Sequence, residues 1–94
     1  MNTTVTQAHV DAQIVDVDVV TKFDKVTVVT ARLRNGFVLV ESAGAVDKAN
    51  YSEEVGREIC LGRIKNRIWE LEGYVLSTRL HEARNNTPGD CAIV

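Results

Sequence analysis

The stretch YSEEVGREICLGRIKNRIWELEGYVLSTRL, residues 51–80, decides the fold, because it carries the one long helical pattern in the chain. Ser52 is placed to cap its start, its hydroxyl accepting a backbone N–H that the first turn leaves without a partner. Glu53 and Glu54 follow where the helix dipole favours negative charge. At about 100° per residue, Cys60, Leu61, Ile64, Ile68, Leu71 and Val75 form one apolar stripe. Steps of three and four between such residues suit a helix lying on a core. Val55, Ile59, Gly62 and Trp69 form a second patch on roughly the opposite side. An edge helix needs only one apolar face, so the second patch calls for a cover: the N-terminal helix, the C-terminal segment or another subunit. Glycine is costly inside a helix, and an apolar pattern restarts at Tyr74. The expectation is a long helix, a kink or break at Glu72-Gly73, then a short helix ending near Ala83.

Before this helix the period changes to two. Val15-Asp16-Val17-Asp18-Val19 alternates strictly and reads as a strand with one polar face. The flanking chain has no glycine-containing calcium loop, so the two aspartates are not assigned to a metal. Residues 22–25 read as a turn, and residues 26–34 as the second strand. Asn35-Gly36 is a strong hairpin signal, because both central residues of a type I′ turn need positive φ. Residues 37–43 return as the third strand. A two-residue turn would set Leu33 opposite Val38 and Ala31 opposite Val40. The core face would then hold Val29, Ala31, Leu33, Val38 and Val40. The outer face would mix Val28, Thr30, Arg32 and Arg34 with Phe37, Leu39 and Glu41, half apolar and so a candidate contact surface.

At the N-terminus, residues 1–5 read as loose, and Thr6 as the cap of a short helix from Gln7 to about Ile14, with His9 facing solvent. Residues 84–94 carry turn and linker chemistry and read as a flexible tail. The reading is therefore one α+β domain over residues 6–83. It has a short N-terminal helix, a three-stranded antiparallel meander with an Asn-Gly hairpin, and a long C-terminal helix with a break and a short helix after it.

Ninety-four residues make one domain with a modest core. A net charge of −2 argues against a general nucleic-acid binder, which shows a basic field. The helix cations Arg57, Arg63, Lys65 and Arg67 are interleaved with Glu54, Glu58 and Glu70, as on a solvated mixed surface. No apolar run approaches the roughly 20 residues of a membrane span. The N-terminus lacks the basic start and apolar run of a signal peptide. Cys60 falls on the core stripe, where a free cysteine behaves as a small hydrophobe in a reduced cytoplasmic protein. The last four residues, Cys91-Ala92-Ile93-Val94, match the C-a-a-X prenylation pattern, but with no upstream polybasic run the match reads as coincidence.

An enzyme needs a nucleophile, a base and an orienting group within reach. The chain offers Ser42 beside Glu41, and His9 and His81, without a nucleophile elbow, a phosphate loop or a metal-ligand cluster. No catalytic, cofactor-binding or metal-binding residue is assigned, and catalysis is not expected.

Asn35-Gly36-Phe37, Glu41-Ser42-Ala43, Glu54-Val55-Gly56-Arg57, Ile68-Trp69, and Leu71-Glu72-Gly73-Tyr74 with Leu76 and Leu80 form an ordered set. Together, over residues 6–82, they resemble a family of small tailed-phage and prophage proteins, the gene-49/gene-66 type. The chain has Val40 where that family usually has Gly, Gly44 where it has Cys, and Glu70 where it has Pro. The last departure leaves the helix free to continue through residue 70. The resemblance implies a phage or prophage origin and a host-cell cytoplasm, and it implies no activity. Its motif residues have structural readings: Asn35 and Gly36 turn the hairpin, Gly56 and, beyond the motif, Gly62 permit close approach, Trp69 and Tyr74 anchor helix to sheet, and Gly73 breaks the helix. By analogy with small phage accessory proteins, the expected role is a non-catalytic binding module on a host protein or small ligand. The candidate surface is Val28, Arg32, Arg34, Phe37, Leu39, Val55, Ile59 and Trp69, and a homodimer is expected because one apolar side is left uncovered. A nucleic-acid role would use Arg32 and Arg34 beside Phe37, or Arg57, Arg63, Lys65 and Arg67.

Overall fold

The computed structural model of the chain describes residues 3–85. In order they form α1 (Gln7–Gln13), β1 (Ile14–Lys22), β2 (Val26–Leu33), β3 (Val38–Gly44), a single 3-10 turn at Lys48–Asn50 and α2 (Glu53–Asn85). The strands make one antiparallel sheet in the order β1-β2-β3. This is the expected α+β meander. Both helix starts are capped as their sequences predict. Thr6 accepts the His9 N–H at 3.2 Å, and Ser52 accepts the Val55 N–H at 3.3 Å.

Helix α2 lies on one face of the sheet. Its Cys60, Ile64 and Ile68 close a core with Val29, Ala31, Leu33 and Leu39. Gly56 brings the start of the helix against β2. A Cβ at that position would stand 2.8 Å from the Thr27 Cβ, so no larger residue fits without a shift. Helix α1 adds Val10 to the same core and runs beside α2, tied by Asp11–Lys65 and His9–Glu72 pairs, each at 3.1 Å. Both helices thus occupy one side of the sheet. Among the described residues, nothing covers the other side.

Several expectations are corrected. The Asn35-Gly36 hairpin is present but is not a two-residue type I′ turn. Gly36 N–H donates to Leu33 O at 2.9 Å, and Leu33 N–H donates to Phe37 O at 2.8 Å. The loop therefore has three residues, Arg34 to Gly36, with Gly36 alone at positive φ, +90°. Asn35 instead uses its side-chain oxygen to accept the Phe37 N–H at 3.0 Å. The extra residue moves the register by one: Ala31 pairs with Leu39 and Arg32 with Val38. A shift of one turns every side chain of a strand to the other face. Leu39, expected on the outer surface, is 1% exposed in the core, while Val38 and Val40, expected in the core, are 49% and 51% exposed on the open side. This register buries the larger Leu39 at the centre and leaves the hydroxyl of Ser42 in water, which the alternative would have buried.

The break at Glu72-Gly73 is absent, and α2 runs through it as one helix. A single interior glycine costs only about 1 kcal/mol against alanine, less than interrupting the ladder on both sides of it. The helix then outruns the sheet. Tyr74, expected as an anchor, is 76% exposed for that reason. Trp69 keeps its anchoring role, half-buried against the core. Val5, assigned to a loose terminus, is also half-buried against that core. The expectations for residues 86–94, the tail and its C-a-a-X ending, lie outside the described residues.

Candidate functional site

Strand register arranges the open side of the sheet in rows. Asp16 pairs with Arg32 and Arg32 with Val38; Asp18 pairs with Thr30 and Thr30 with Val40; Val20 pairs with Val28 and Val28 with Ser42. The middle strand presents Val28, Thr30 and Arg32, the β3 side is apolar with Val38 and Val40, and Asp16, Asp18 and Lys22 stand along β1. Arg32 reaches Asp16 at 3.2 Å, an exposed pair worth little by itself. Of the predicted surface residues, the sheet brings Val28 and Arg32 together here. Arg34 stands apart at the hairpin tip, where its N–H donates to Gln13 O at 2.9 Å.

The other predicted residues lie elsewhere. Phe37 turns toward α2 and, with Leu71, Tyr74 and Val75, lines a shallow depression of about 160 Å³. Val55 and Ile59 line another, of about 280 Å³, with residues 43–45 and Tyr51. These two hollows sit at opposite ends of the seam between β3 and α2. Between them Arg63 donates to Ser42 O at 2.8 Å. Arg67 donates to Val40 O at 3.3 Å and to the Glu41 carboxylate at 3.2 Å. Trp69 does not belong to this seam.

The start of α2 is fastened by a polar cluster. The Tyr51 hydroxyl sits 2.7 Å from Thr27 Oγ1 and 2.8 Å from Thr21 Oγ1, and Thr21 also donates to the Glu53 carboxylate. Thr27 is fully buried but partnered, and the Cys60 thiol donates to its carbonyl at 3.8 Å. Burial pushes the Cys60 thiol up, beyond what the nearby Arg63 charge offsets. It is therefore a neutral packing group at pH 7, as the sequence suggested. On α1, a hydrogen bond from Gln7 and the Lys65 ammonium hold the Asp11 carboxyl below its usual range. Ser42, His9 and His81 are not brought together: Ser42 is exposed on the open face, His9 bonds Glu72, and His81 bonds Asn85 at 3.0 Å. Among the described residues, no cluster of His, Cys, Asp and Glu is arranged to hold a metal ion.

Sequence reasoning missed one feature. Phe23 and Asp24 both take positive φ, +53° and +55°, in the β1–β2 turn closed by Lys25 N–H on Lys22 O at 3.1 Å. Positive φ is unusual for a bulky aromatic residue. Phe23 is 90% exposed and shares a depression with Lys25, Lys48 and Val46, itself 97% exposed. The available signal was the phenylalanine in Lys22-Phe23-Asp24-Lys25, where turn chemistry asks for Gly or Asn.

These features define a small two-layer α+β protein whose helices cover one sheet face and leave the other bare. The chain matches the phage protein (N4 Gp49/phage Sf6 gene 66) family over residues 5–80, and it belongs to that family. No curated protein and no solved structure matches it. Among the described residues, no helix is long and apolar enough to cross a membrane.

Proposed function

We propose that the chain is a non-catalytic phage binding module that works in the host cytoplasm by docking its open sheet face on a host protein. The bare face carries this reading. It exposes Val20, Val28, Val38 and Val40 around Thr30, with Asp16, Asp18, Lys22 and Arg32 adding charges of both signs mainly along β1. Exposed apolar side chains interspersed with charged and polar ones suit a protein–protein contact. Small-molecule sites are concave and enclose most of the ligand, whereas the hollow on this face, about 370 Å³ between Asp16, Asp18, Thr30, Arg32 and Val38, is shallow and open. The mixed signs around it also favour a protein over nucleic acid, whose partners present a basic field.

The test is a photo-crosslinking residue at Val20, compared with one at Glu58 on the exposed side of α2, in host cells making the protein. The expected result is one host protein joined at position 20, absent at 58, and lost when Val28→Lys places a charge in the middle of the face. Equal adducts at both positions, or none at 20, would overturn the proposal. Retention of nucleic acid that falls steeply between about 50 and 200 mM salt would move the reading to a nucleic-acid role.

A further inference from the structure

The two edges of the sheet are built differently. β1 is blunted by its register irregularity between Ile14 and Asp16, by α1 beside it, and by Asp16, Asp18 and Lys22 along it. Such features keep an edge from pairing with another strand. β3 has none of them. Its register is regular, it contains no proline, and its one charge, Glu41, turns toward α2. The bonds that close the β3 ladder fall on alternate residues, from the Leu33–Phe37 pair to Ala45 N–H on Lys25 O. The backbone groups of Val38, Val40 and Ser42 therefore point away from the sheet. Arg63 and Arg67 already hold the carbonyls of Ser42 and Val40. No backbone partner among the described residues takes the N–H groups of these three residues.

We propose that a second copy of this chain adds to the β3 edge, antiparallel and related by a two-fold axis near Val40, to give one six-stranded sheet. This rests on reading the chain as a binding module, because joining the sheets doubles the open face offered to a partner. Three observations select a second copy over a foreign strand. The first is the seam's own pattern. It carries an apolar end at Ala43, Val55 and Ile59, a charged centre, and an apolar end at Phe37, Leu71 and Tyr74. A two-fold axis at Val40 sets each end of one copy against the opposite end of the other.

The second observation is spacing. Helix α2 packs on both β2 and β3. Pairing two edges at about 4.8 Å then brings the two α2 helices side by side, with Arg63 and Arg67, which reach the β3 carbonyls, on the facing flanks. The third is charge. Arg63 and Arg67 share the centre with Glu41 and with Glu70, which follows Arg63 by seven residues on the same helical stripe. Two cations and two anions per copy balance across the axis. The two arginines are exposed, so an arriving strand displaces them from the carbonyls onto the carboxylates of either copy.

Light scattering after size exclusion tests this, with the full chain at several concentrations. The expected mass is twice 10.4 kDa. Ser42→Pro removes one outward N–H that the protein's own sheet does not use, a substitution edge strands tolerate. It is expected to give a single-chain mass with an unchanged circular dichroism spectrum. Val20→Lys, on β1 and far from the seam, is expected to leave the dimer intact. Should Ser42→Pro fail to fold, Ile59→Glu on the exposed helix flank serves instead and is expected to dissociate the pair. A mass of 10.4 kDa for the unaltered chain at every concentration overturns the proposal. So does a dimer that survives Ser42→Pro or Ile59→Glu and falls apart with Val20→Lys, the signature of two open faces packed together. The crosslink from position 20 to a host protein, read separately in the Ile59→Glu chain, shows whether the binding reading stands without the dimer.

Discussion

Leu39 and Val40 are neighbours in β3, and they face two different worlds. Leu39 is sealed between the sheet and α2, while Val40 stands on a face that nothing among the described residues covers. Both faces are built from the same three strands, and both carry valines. What separates them is one residue of loop, because a three-residue turn at Arg34 to Gly36 chooses which side of β3 is interior. The covered face holds the fold together. The bare one is free to serve a partner at little cost to stability.

Truncation should break that symmetry most visibly. Ile64→Ala and Leu39→Ala are each expected to cost about 2–5 kcal/mol, the range for large-to-small changes in a packed core. Val40→Ala should cost well under about 1 kcal/mol in the isolated chain, as exposed substitutions do. Chemical denaturation of the three variants at equal concentration checks this. A Val40→Ala loss as large as that of Leu39→Ala would mean that the open face is buried in the protein as it exists in solution.

The covered face has a second sensitive point. Gly56→Ala forces a Cβ onto Thr27, and the overpacking should cost about 1–3 kcal/mol. Thr27→Ala alone should also destabilise, because it strips the Tyr51 hydroxyl of a partner. The informative measurement is the double variant. If the clash is the cause, Gly56→Ala should cost less in the Thr27→Ala background than in the original chain. Strict additivity would refute the close-approach account of this glycine.

The features legible in the sequence were those set by neighbours along the chain. The caps at Thr6 and Ser52, the stripe through Cys60, Ile64 and Ile68, and the glycine at 56 follow from spacing and side-chain chemistry alone. Strand identity was legible too, but not its register. Asn-Gly suits both the two-residue turn and the three-residue loop with a left-handed glycine, and only burial of Leu39 decides between them. Gly73 misled because a local cost of about 1 kcal/mol is small beside a cooperative helix. The second patch on α2 misled for another reason. A helical wheel merges residues many turns apart, whereas Val55 and Ile59 border β3 and Trp69 packs on the core. The open-face surface was half readable, since Val28 and Arg32 belong to it and Leu39 does not.

The hairpin turn offers a smaller perturbation. Gly36→Ala puts a Cβ at a φ of +90°, where nothing crowds it within 4 Å, so the penalty is conformational only, about 1–2 kcal/mol. The register is expected to survive, because Leu39 still has only one place to be buried. Amide exchange or strand NMR contacts showing Arg32 opposite a residue other than Val38 would contradict this and tie the register to the turn alone.

The smallest effect has the opposite sign. Phe23 pays for its left-handed conformation without burying its ring. Asn tolerates that conformation better than any aromatic residue, so Phe23→Asn should raise stability by a few tenths to about 1 kcal/mol. A residue that burdens the fold and packs on nothing is either an accident of the turn or part of a contact, and one variant separates the two. Strain kept for use is characteristic of functional positions. If the β1–β2 tip extends the partner-binding face past Lys22, Phe23→Asn will melt higher yet capture less of the host protein crosslinked at position 20. A gain in stability with capture unchanged would confine the contact to the strands. An unchanged or lowered melting temperature would show that the positive φ carries no strain, and the aromatic ring would then owe its place to the turn itself.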